Sequence, residues 1–399
     1  MSFRIIGTGR CVPEYVLTNE EISTMVETSD EWISTRTGIK ERRICTKETI
    51  TDLAVTAAKN ALEDAKAAPE ELDMIICGTI RGEFISPSEA CVIQKKLGAR
   101  CPAFDVNAAC SGFLYCMDVA AGFFARKRVK KVLVVCADNV SNCSDWNDRA
   151  TCVLFGDGAG AAVLAEGSDL LSIELTTTGD YEYLRIPRGE NACPMYRHPS
   201  ERPVLHMNGR EVYKFAVNAM VTGLQNAVAA AGLKESDIDH VMPHQANMRI
   251  IEAAKAKLSF APEKYFYNIT RYGNTSAACI PMMLDEANRA GKLKKGDYIA
   301  MAAFGGRPDQ RKRRAEMECG VISMALETIK KLLANYKHID ESLITRETTF
   351  ESIGIDSLDT VDLVIDLEEA FHIIIERDET IETVGELVDI IDELSCQEG

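Results

Sequence analysis

Four side chains stand in settings where their chemistry could be used. Cys110 follows the strand-like stretch Ala103-Phe104-Asp105-Val106 and opens a helix-like run through Phe113, Leu114, Met117 and Val119. A thiol at a helix N-terminus has a lowered pKa, and its thiolate is a nucleophile. The small neighbours Ala108, Ala109, Ser111 and Gly112 leave room for a substrate to approach the backbone. His244, in Val241-Met242-Pro243-His244-Gln245-Ala246-Asn247, stands at a strand end just before a helix. Asn274, in Arg271-Tyr272-Gly273-Asn274-Thr275-Ser276-Ala277-Ala278, occupies another strand-to-helix turn. Taken singly, each of the three also suits a cap or core position. Three such turns of an α/β sheet can converge on one site. The fourth residue, Ser357, opens a helix in Gly354-Ile355-Asp356-Ser357-Leu358-Asp359. Serine is a good N-cap there, and the helix dipole also favours an attached phosphate.

The elements that must position these residues follow from hydrophobic pattern. Residues 74–79, 131–137 and 298–303 read as buried strands. Helical spacing runs through Asp52 to Ala67 and Glu211 to Ala231. Buried strands alternating with helices predict an α/β domain. The strand, small-residue turn and helix at 103–112 are echoed at 267–278, which suggests two halves of similar build. Gly156-Asp157-Gly158-Ala159-Gly160-Ala161 reads as a close-packing turn; a phosphate loop is the other reading, but the Lys-Ser/Thr of a P-loop is missing.

At 399 residues the chain is long enough for two or three domains. Its charge divides unevenly. The whole carries −16, whereas residues 319–399 hold 5 Lys+Arg against 20 Asp+Glu, or −15, leaving −1 for residues 1–318. This asymmetry marks a separate acidic module, suited to basic protein patches and unsuited to nucleic acid. Between the two lies Gly305-Gly306-Arg307-Pro308-Asp309-Gln310-Arg311-Lys312-Arg313-Arg314, read as a basic linker rather than a nucleic-acid tract. Beyond it Ile322, Leu326, Ile329 and Leu333 are spaced as one face of a helix. A second helix follows from Ser357 and a last one from about Thr383 to Leu394. No apolar run reaches the ~18 residues of a membrane span, and the N-terminus does not read as a secretory signal. The fourteen cysteines include no Cys-x-x-Cys pair and no zinc-ligand spacing, so no metal is expected. The expected compartment is the cytoplasm, with thiols reduced.

Residues 319–399 resemble an acyl carrier protein, on the Asp-Ser-Leu motif and the acidic helix carrying Asp359, Asp362, Asp366, Glu368 and Glu369. The resemblance implies a small all-α four-helix domain. It also implies a 4′-phosphopantetheine arm on Ser357, added by a phosphopantetheinyl transferase. Residues 1–306 resemble β-ketoacyl-acyl-carrier-protein synthase III, on Trp32-Ile33-Ser34-Thr35-Arg36-Thr37-Gly38-Ile39, Asp105 to Phe113, Phe155 to Ala161, His244-Gln245-Ala246-Asn247 and Gly273 to Ala278. That resemblance implies a thiolase-like five-layer αβαβα fold of two similar halves, a homodimer, and a decarboxylative condensation of acyl-CoA with malonyl-acyl carrier protein, the carrier acting in cis or in trans. Cys110 would take the acyl group, while His244 and Asn274 would hold the malonyl thioester oxygen. The backbone N–H groups of Cys110 and Gly306 would hold the later oxyanion, and Phe304 would exclude water. Trp32, Arg36, Arg149 and Asn247 match the family's CoA-binding residues, with Trp32 and Arg149 sandwiching adenine. Lys214, Arg249 and Lys257 match its carrier-docking patch.

The junction departs from both patterns. The synthase family continues from its Gly-Gly into a turn and a final apolar strand, whereas Arg307-Pro308-Asp309-Gln310-Arg311 follows here. A frameshift joining two adjacent genes would explain it. The expectation is a synthase domain over 1–306 that need not hold its last strand, a linker over 307–318 and a carrier over 319–399. Two alternatives follow: a carrier on an inactive synthase-like scaffold, or starter-unit condensation in a polyketide pathway.

Overall fold

Residues Val132 to Ala137 form an unbroken apolar run that suits a strand covered on both faces. The computed structural model of the chain places them so. It describes residues 2–177, 181–189, 193–196, 200–304, 318–323, 345, 348–350, 352 and 383–387. Strands β1 (Ser2–Cys11), β2 (Met74–Gly78), β3 (Ala103–Val106), β4 (Lys131–Asn139) and β5 (Asp157–Gly167) form one sheet in the order β1-β5-β4-β2-β3. Here β5 runs antiparallel to β1 and β4, and β2 runs parallel to β4 and β3. Strands β6 (Leu170–Glu174), β7 (His240–Pro243), β8 (Tyr298–Ala303) and β9 (Glu318–Ser323) form a second sheet in the order β7-β8-β9-β6. Within it β9 is antiparallel to β8 and β6, and β7 is parallel to β8. The second sheet thus repeats the first. Strands β6, β9, β8 and β7 take the places of β1, β5, β4 and β2, and a parallel bridge from Val241 to Tyr265 stands where β3 does.

Side chains alternate across each strand with the period of two that the pleat imposes. Met74, Ile76, Val132 and Val134 of the first sheet share one core with Met242, Ile299 and Met301 of the second. The helices α3 (Gly112–Ala125) and α6 (Cys279–Arg289) fill the space between, through Phe113, Leu114, Met117 and Phe124, and through Ile280, Met283 and Leu284. On the far face of the first sheet α2 (Ile50–Asp64) packs Leu53, Ala57 and Ala61 against Ile75, Leu133 and Val135. On the far face of the second, α4 (Gly209–Ala230) and α5 (Met248–Lys255) cover Val241, Tyr298 and Ala300. Helix, sheet, helices, sheet, helices is the five-layer order expected. A further short helix, α1 (Asp30–Thr37), lies at the rim of the first half and is capped by Ser29, whose side chain accepts from Trp32 N–H.

Two expectations are corrected. The sequence reading allows for no strand after Gly306 and puts Ile322 on a helical face. Residues 318–323 instead form β9, where Ile322 lies opposite Ile299 of β8. The physical reason is the gap itself. Without β9, the facing edges of β8 and β6 would hold unpaired N–H and C=O groups inside a buried sheet. An extended segment containing the β-branched pair Val321-Ile322 satisfies both edges. The glycine-rich stretch from Gly156 is also not a turn between strands: Asp157 already begins β5.

The remaining carrier expectations reach the described residues only at their end. Ser357, Leu326, Ile329 and Leu333 lie outside them, as do Gly306 and the basic run. The last expected helix begins where the pattern puts it. Residues 384–387 are helical, and Thr383 and Glu386 form a reciprocal cap, each side chain accepting the other's N–H at 3.1 Å.

Because β9 is paired on both sides, with Val321 opposite Ala300 and Ser172, Val321→Pro should orphan a buried ladder group at a cost of about 1–3 kcal/mol. We expect a lower melting temperature and a poorer soluble yield. Melting unchanged from the parent would remove β9 from the sheet.

Candidate active site

The site lies at the C-terminal ends of the parallel strands, the end at which open α/β sheets gather their ligands. The turn holding Cys110 follows β3, His244 follows β7 and Phe304 follows β8. Cys110 sits in a 3-10 turn, Ala109–Ser111, that runs directly into the 14-residue helix α3. The positive end of that helix favours negative charge on the sulfur. Ala109 is held at φ 47°, a left-handed conformation that a non-glycine residue adopts only where its surroundings impose it. The second half repeats the device. Ser276 has φ 52° in the 3-10 turn Ser276–Ala278, which runs into α6.

Asn274 is fixed through its backbone. Its N–H donates to the Leu154 carbonyl at 2.9 Å, and its carbonyl accepts from Gly156 N–H at 3.1 Å. Gly156 is required there, because a Cβ would lie 2.2 Å from the Tyr272 carbonyl oxygen. The stretch that resembles a phosphate loop is therefore the seat of Asn274. The Asn274 Oδ1 accepts from Ser276 N–H at 2.9 Å, which leaves the amide NH2 as the group available to a ligand.

His244 is 1% exposed. Its backbone N–H donates to the Ala302 carbonyl at 2.7 Å, tying it to β8. The Phe304 ring meets the imidazole edge to face at 5.3 Å, and Phe215 packs on Phe304 in the same manner at 6.3 Å. Burial pushes the His244 pKa down to about 3, so the ring is neutral and carries one N–H. Neither ring nitrogen meets a partner among the described residues. A buried polar group without a partner is costly, which marks these nitrogens as awaiting a ligand.

Cys110, His244, Asn274 and Phe304 all line one cavity of about 1240 Å³. Two neutral N–H donors that share a cavity with a cysteine sulfur can hold a carbonyl oxygen on which negative charge develops. The same cavity is lined by Trp32, Arg36, Arg149, Asn247, Lys214 and Arg249. Its described lining includes eight Lys or Arg against two acids, among them Arg81, Arg185, Arg188 and Arg210, which sequence reasoning did not single out. Such a mouth draws in anionic ligands.

Three expected residues stand differently. Arg149 lies 5.1 Å from the Trp32 ring centre, and Arg36 lies 4.6 Å from it. The guanidinium of Arg149 is in direct contact with the indole and donates to the Glu27 carbonyl at 2.8 Å. An adenine can enter between the two only if Arg149 swings away. Asn247 also caps α5, accepting from Arg249 N–H at 2.8 Å. Lys257 is not among the cavity residues; its ammonium donates to Asn218 Oδ1 at 3.3 Å on the exposed surface.

Sequence reasoning also passed over two supports. Gln245 is fully buried, donates to the Pro243 carbonyl at 2.7 Å, and accepts from the N–H groups of Asn268 and Ile269 at 3.1 and 3.2 Å. It thereby ties the His244 strand to the segment leading to Asn274. Asp138 is fully buried at the end of β4. The available signal was an acid closing an otherwise apolar strand.

Known proteins match this chain in both parts. The family described as 3-oxoacyl-[acyl-carrier-protein (ACP)] synthase III matches residues 104–179, and its C-terminal family matches residues 228–306. The family described as phosphopantetheine attachment site matches residues 327–391. The β-ketoacyl-[acyl-carrier-protein] synthase III of Clostridium acetobutylicum is 46% identical over 310 residues, covering 76% of this chain and 95% of the relative. That of Aquifex aeolicus is 47% identical, covering 77% and 96%. Among solved structures, the synthase III of Aquifex aeolicus VF5 superposes with a TM-score of 0.72 at 44% identity, over 81% of this chain and 99% of its own. The priming β-ketosynthase of the R1128 polyketide pathway does so with a TM-score of 0.74 at 31% identity, over 81% and 96%. With relatives this similar over nearly their whole length, and with both sheets of the fold in place, the chain belongs to the β-ketoacyl-[acyl-carrier-protein] synthase III family.

Proposed function

We propose that the chain starts fatty acid synthesis by condensing an acyl group from acyl-CoA with a malonyl group held on an acyl carrier. The observation that carries this reading is the pair of unspent donors, neutral His244 and the Asn274 amide, lining one cavity with Cys110. In the first half-reaction the Cys110 thiolate attacks the acyl-CoA carbonyl. A Cys110 thioester forms, and the CoA thiol leaves. In the second, His244 and Asn274 donate hydrogen bonds to the malonyl thioester oxygen as CO2 departs, so that charge moves onto an oxygen already met by donors. The resulting carbanion attacks the acyl carbonyl, and Cys110 leaves as thiolate. Phe304, against the imidazole, keeps water from His244. The backbone N–H groups of Cys110 and Gly306 would serve the oxyanion of each acyl transfer. Trp32, Arg36, Arg149 and Asn247 would hold CoA, with Arg149 moving off the indole; Lys214, Arg249 and Lys257 would meet the carrier.

Residues 327–391 supply a carrier segment in the same chain, and Ser357 is the serine we assign to the phosphopantetheine arm. The exposed apolar Phe84 and Ile85 suit a covered face in a homodimer. The polyketide reading is favoured by the priming synthase at a TM-score of 0.74. It uses the same chemistry and differs in the fate of the product. The inactive-scaffold reading rested on a missing strand, and β9 fills that position.

Cys110→Ala should abolish the acyl adduct that acetyl-CoA leaves on the chain in intact-mass spectra. His244→Ala should keep the adduct and slow malonyl decarboxylation by about 10²–10³. An adduct that persists without Cys110 would overturn the assignment. A phosphopantetheinyl transferase with CoA should add one arm to the parent and none to Ser357→Ala; modification elsewhere would displace the assignment to Ser357. Because the His244 pKa lies near 3, the imidazole stays neutral through the working range, and the decarboxylation rate should show no acid limb from it between pH 5 and 8. Folded His244 resists the proton that an unfolded one accepts below about pH 6.5, so its contribution opposes folding as pH falls below that value.

A further inference from the structure

The turns of Cys110 and Asn274 come from different halves of the chain, and each contains a non-glycine residue in the left-handed region. One buried carboxylate reaches both. Asp138 is 0% exposed near the end of β4. Its Oδ1 accepts from Thr79 Oγ1 at 2.9 Å and from Ile80 N–H at 2.8 Å. The carbonyl of Ile80 accepts from Asn107 Nδ2 at 3.3 Å, and Asn107 Oδ1 accepts from the N–H of Ala109, next to Cys110, at 3.4 Å. On its other side Asp138 Oδ2 accepts from Ala277 N–H at 3.4 Å, and the carboxylate also takes the Ser276 hydroxyl. Ser276 N–H in turn holds the Asn274 amide oxygen.

We propose that Asp138 is a positioning residue that sets the nucleophile turn and the Asn274 amide together, one carboxylate oxygen serving each half. The proposal rests on the condensing reaction given above for its second effect, and on geometry alone for its first. Four donors converge on the carboxylate: Ser276 and Ala277 from the second turn directly, and Thr79 and Ile80 from the segment that reaches the nucleophile turn through Asn107. Burial raises the Asp138 pKa to about 6 while these donors lower it, so the group is charged at neutral pH. An amide in its place keeps the volume but turns one of the two acceptors into a donor that faces donors.

The test uses the full chain and two readouts. One is the rate at which iodoacetamide alkylates Cys110, followed on the peptide that contains it, which needs no substrate. The other is malonyl-thioester decarboxylation per folded chain, with the folded fraction taken from the thermal melt of each variant. Asp138→Asn should slow both by tenfold or more while leaving the KM for acyl-CoA within twofold, because the cavity rim is untouched. Thr79→Val should slow alkylation more than decarboxylation, and Ser276→Ala should do the reverse. Parental rates in Asp138→Asn, or an equal effect of the two single-branch variants on both readouts, would overturn the proposal. If Asp138→Asn fails to fold, the two branch variants decide by that split. A parent that alkylates normally but never decarboxylates would sink the condensing reading, and the alkylation result would still judge Asp138.

Discussion

Gly112 and Ala277 meet across the middle of the molecule with no space for another carbon. A Cβ on Gly112 would lie 3.0 Å from that of Ala277, and one on Gly78 would lie 2.8 Å from the Cys136 sulfur. This contact joins the starts of the two central helices, one from each half. Each helix is preceded by a turn that carries a reactive group, so the distance of closest approach between helices sets the distance between chemistries. Close packing supplies the force: both helices are covered on two sides by sheets whose inward residues are almost wholly excluded from water. The repeated architecture is thus the means by which two turns remote in sequence share one cavity.

Polarity changes steeply along that cavity. Over the cavity as a whole cations outnumber acids four to one among the described lining residues. At its foot stand an imidazole too dry to take a proton, aromatic rings and a carboxamide with its oxygen already occupied. Phosphates suit the first environment and a developing enolate suits the second. A dry, neutral donor strengthens as negative charge forms on its partner, and no solvent has to reorganise. The same dryness that makes His244 costly to the folded state suits the donor role proposed for it.

The sequence made much of this legible and left some of it hidden. Residues 131–137 and 298–303 could be read as buried strands because a sheet covered on both faces needs a run with no polar alternation. Cys110 and His244 could be read because each sits where a strand gives way to a helix; Asn274 was expected at such a turn too, but the short helix Ile269–Tyr272 precedes it. The brace at Asp138 could not, since an acid ending a strand looks the same whether it faces water or four donors. Strand β9 was misread because four apolar residues spaced 4, 3 and 4 satisfy a helical template, and nothing local records that two sheet edges are open elsewhere. The direct Trp32–Arg149 contact could not be read either, because a stacking pair and a sandwich share the same two residues.

The direction of β9 has a consequence for the joined carrier. Ser323 lies opposite Tyr298 and Glu318 opposite Ala303, so the strand begins beside the C-terminal end of β8 and finishes at the other. Five steps of about 3.3 Å carry it some 17 Å away. Synthase and carrier are therefore joined at one to one, and the described strand leads the chain away from the cavity end of β8 before the matched attachment region begins.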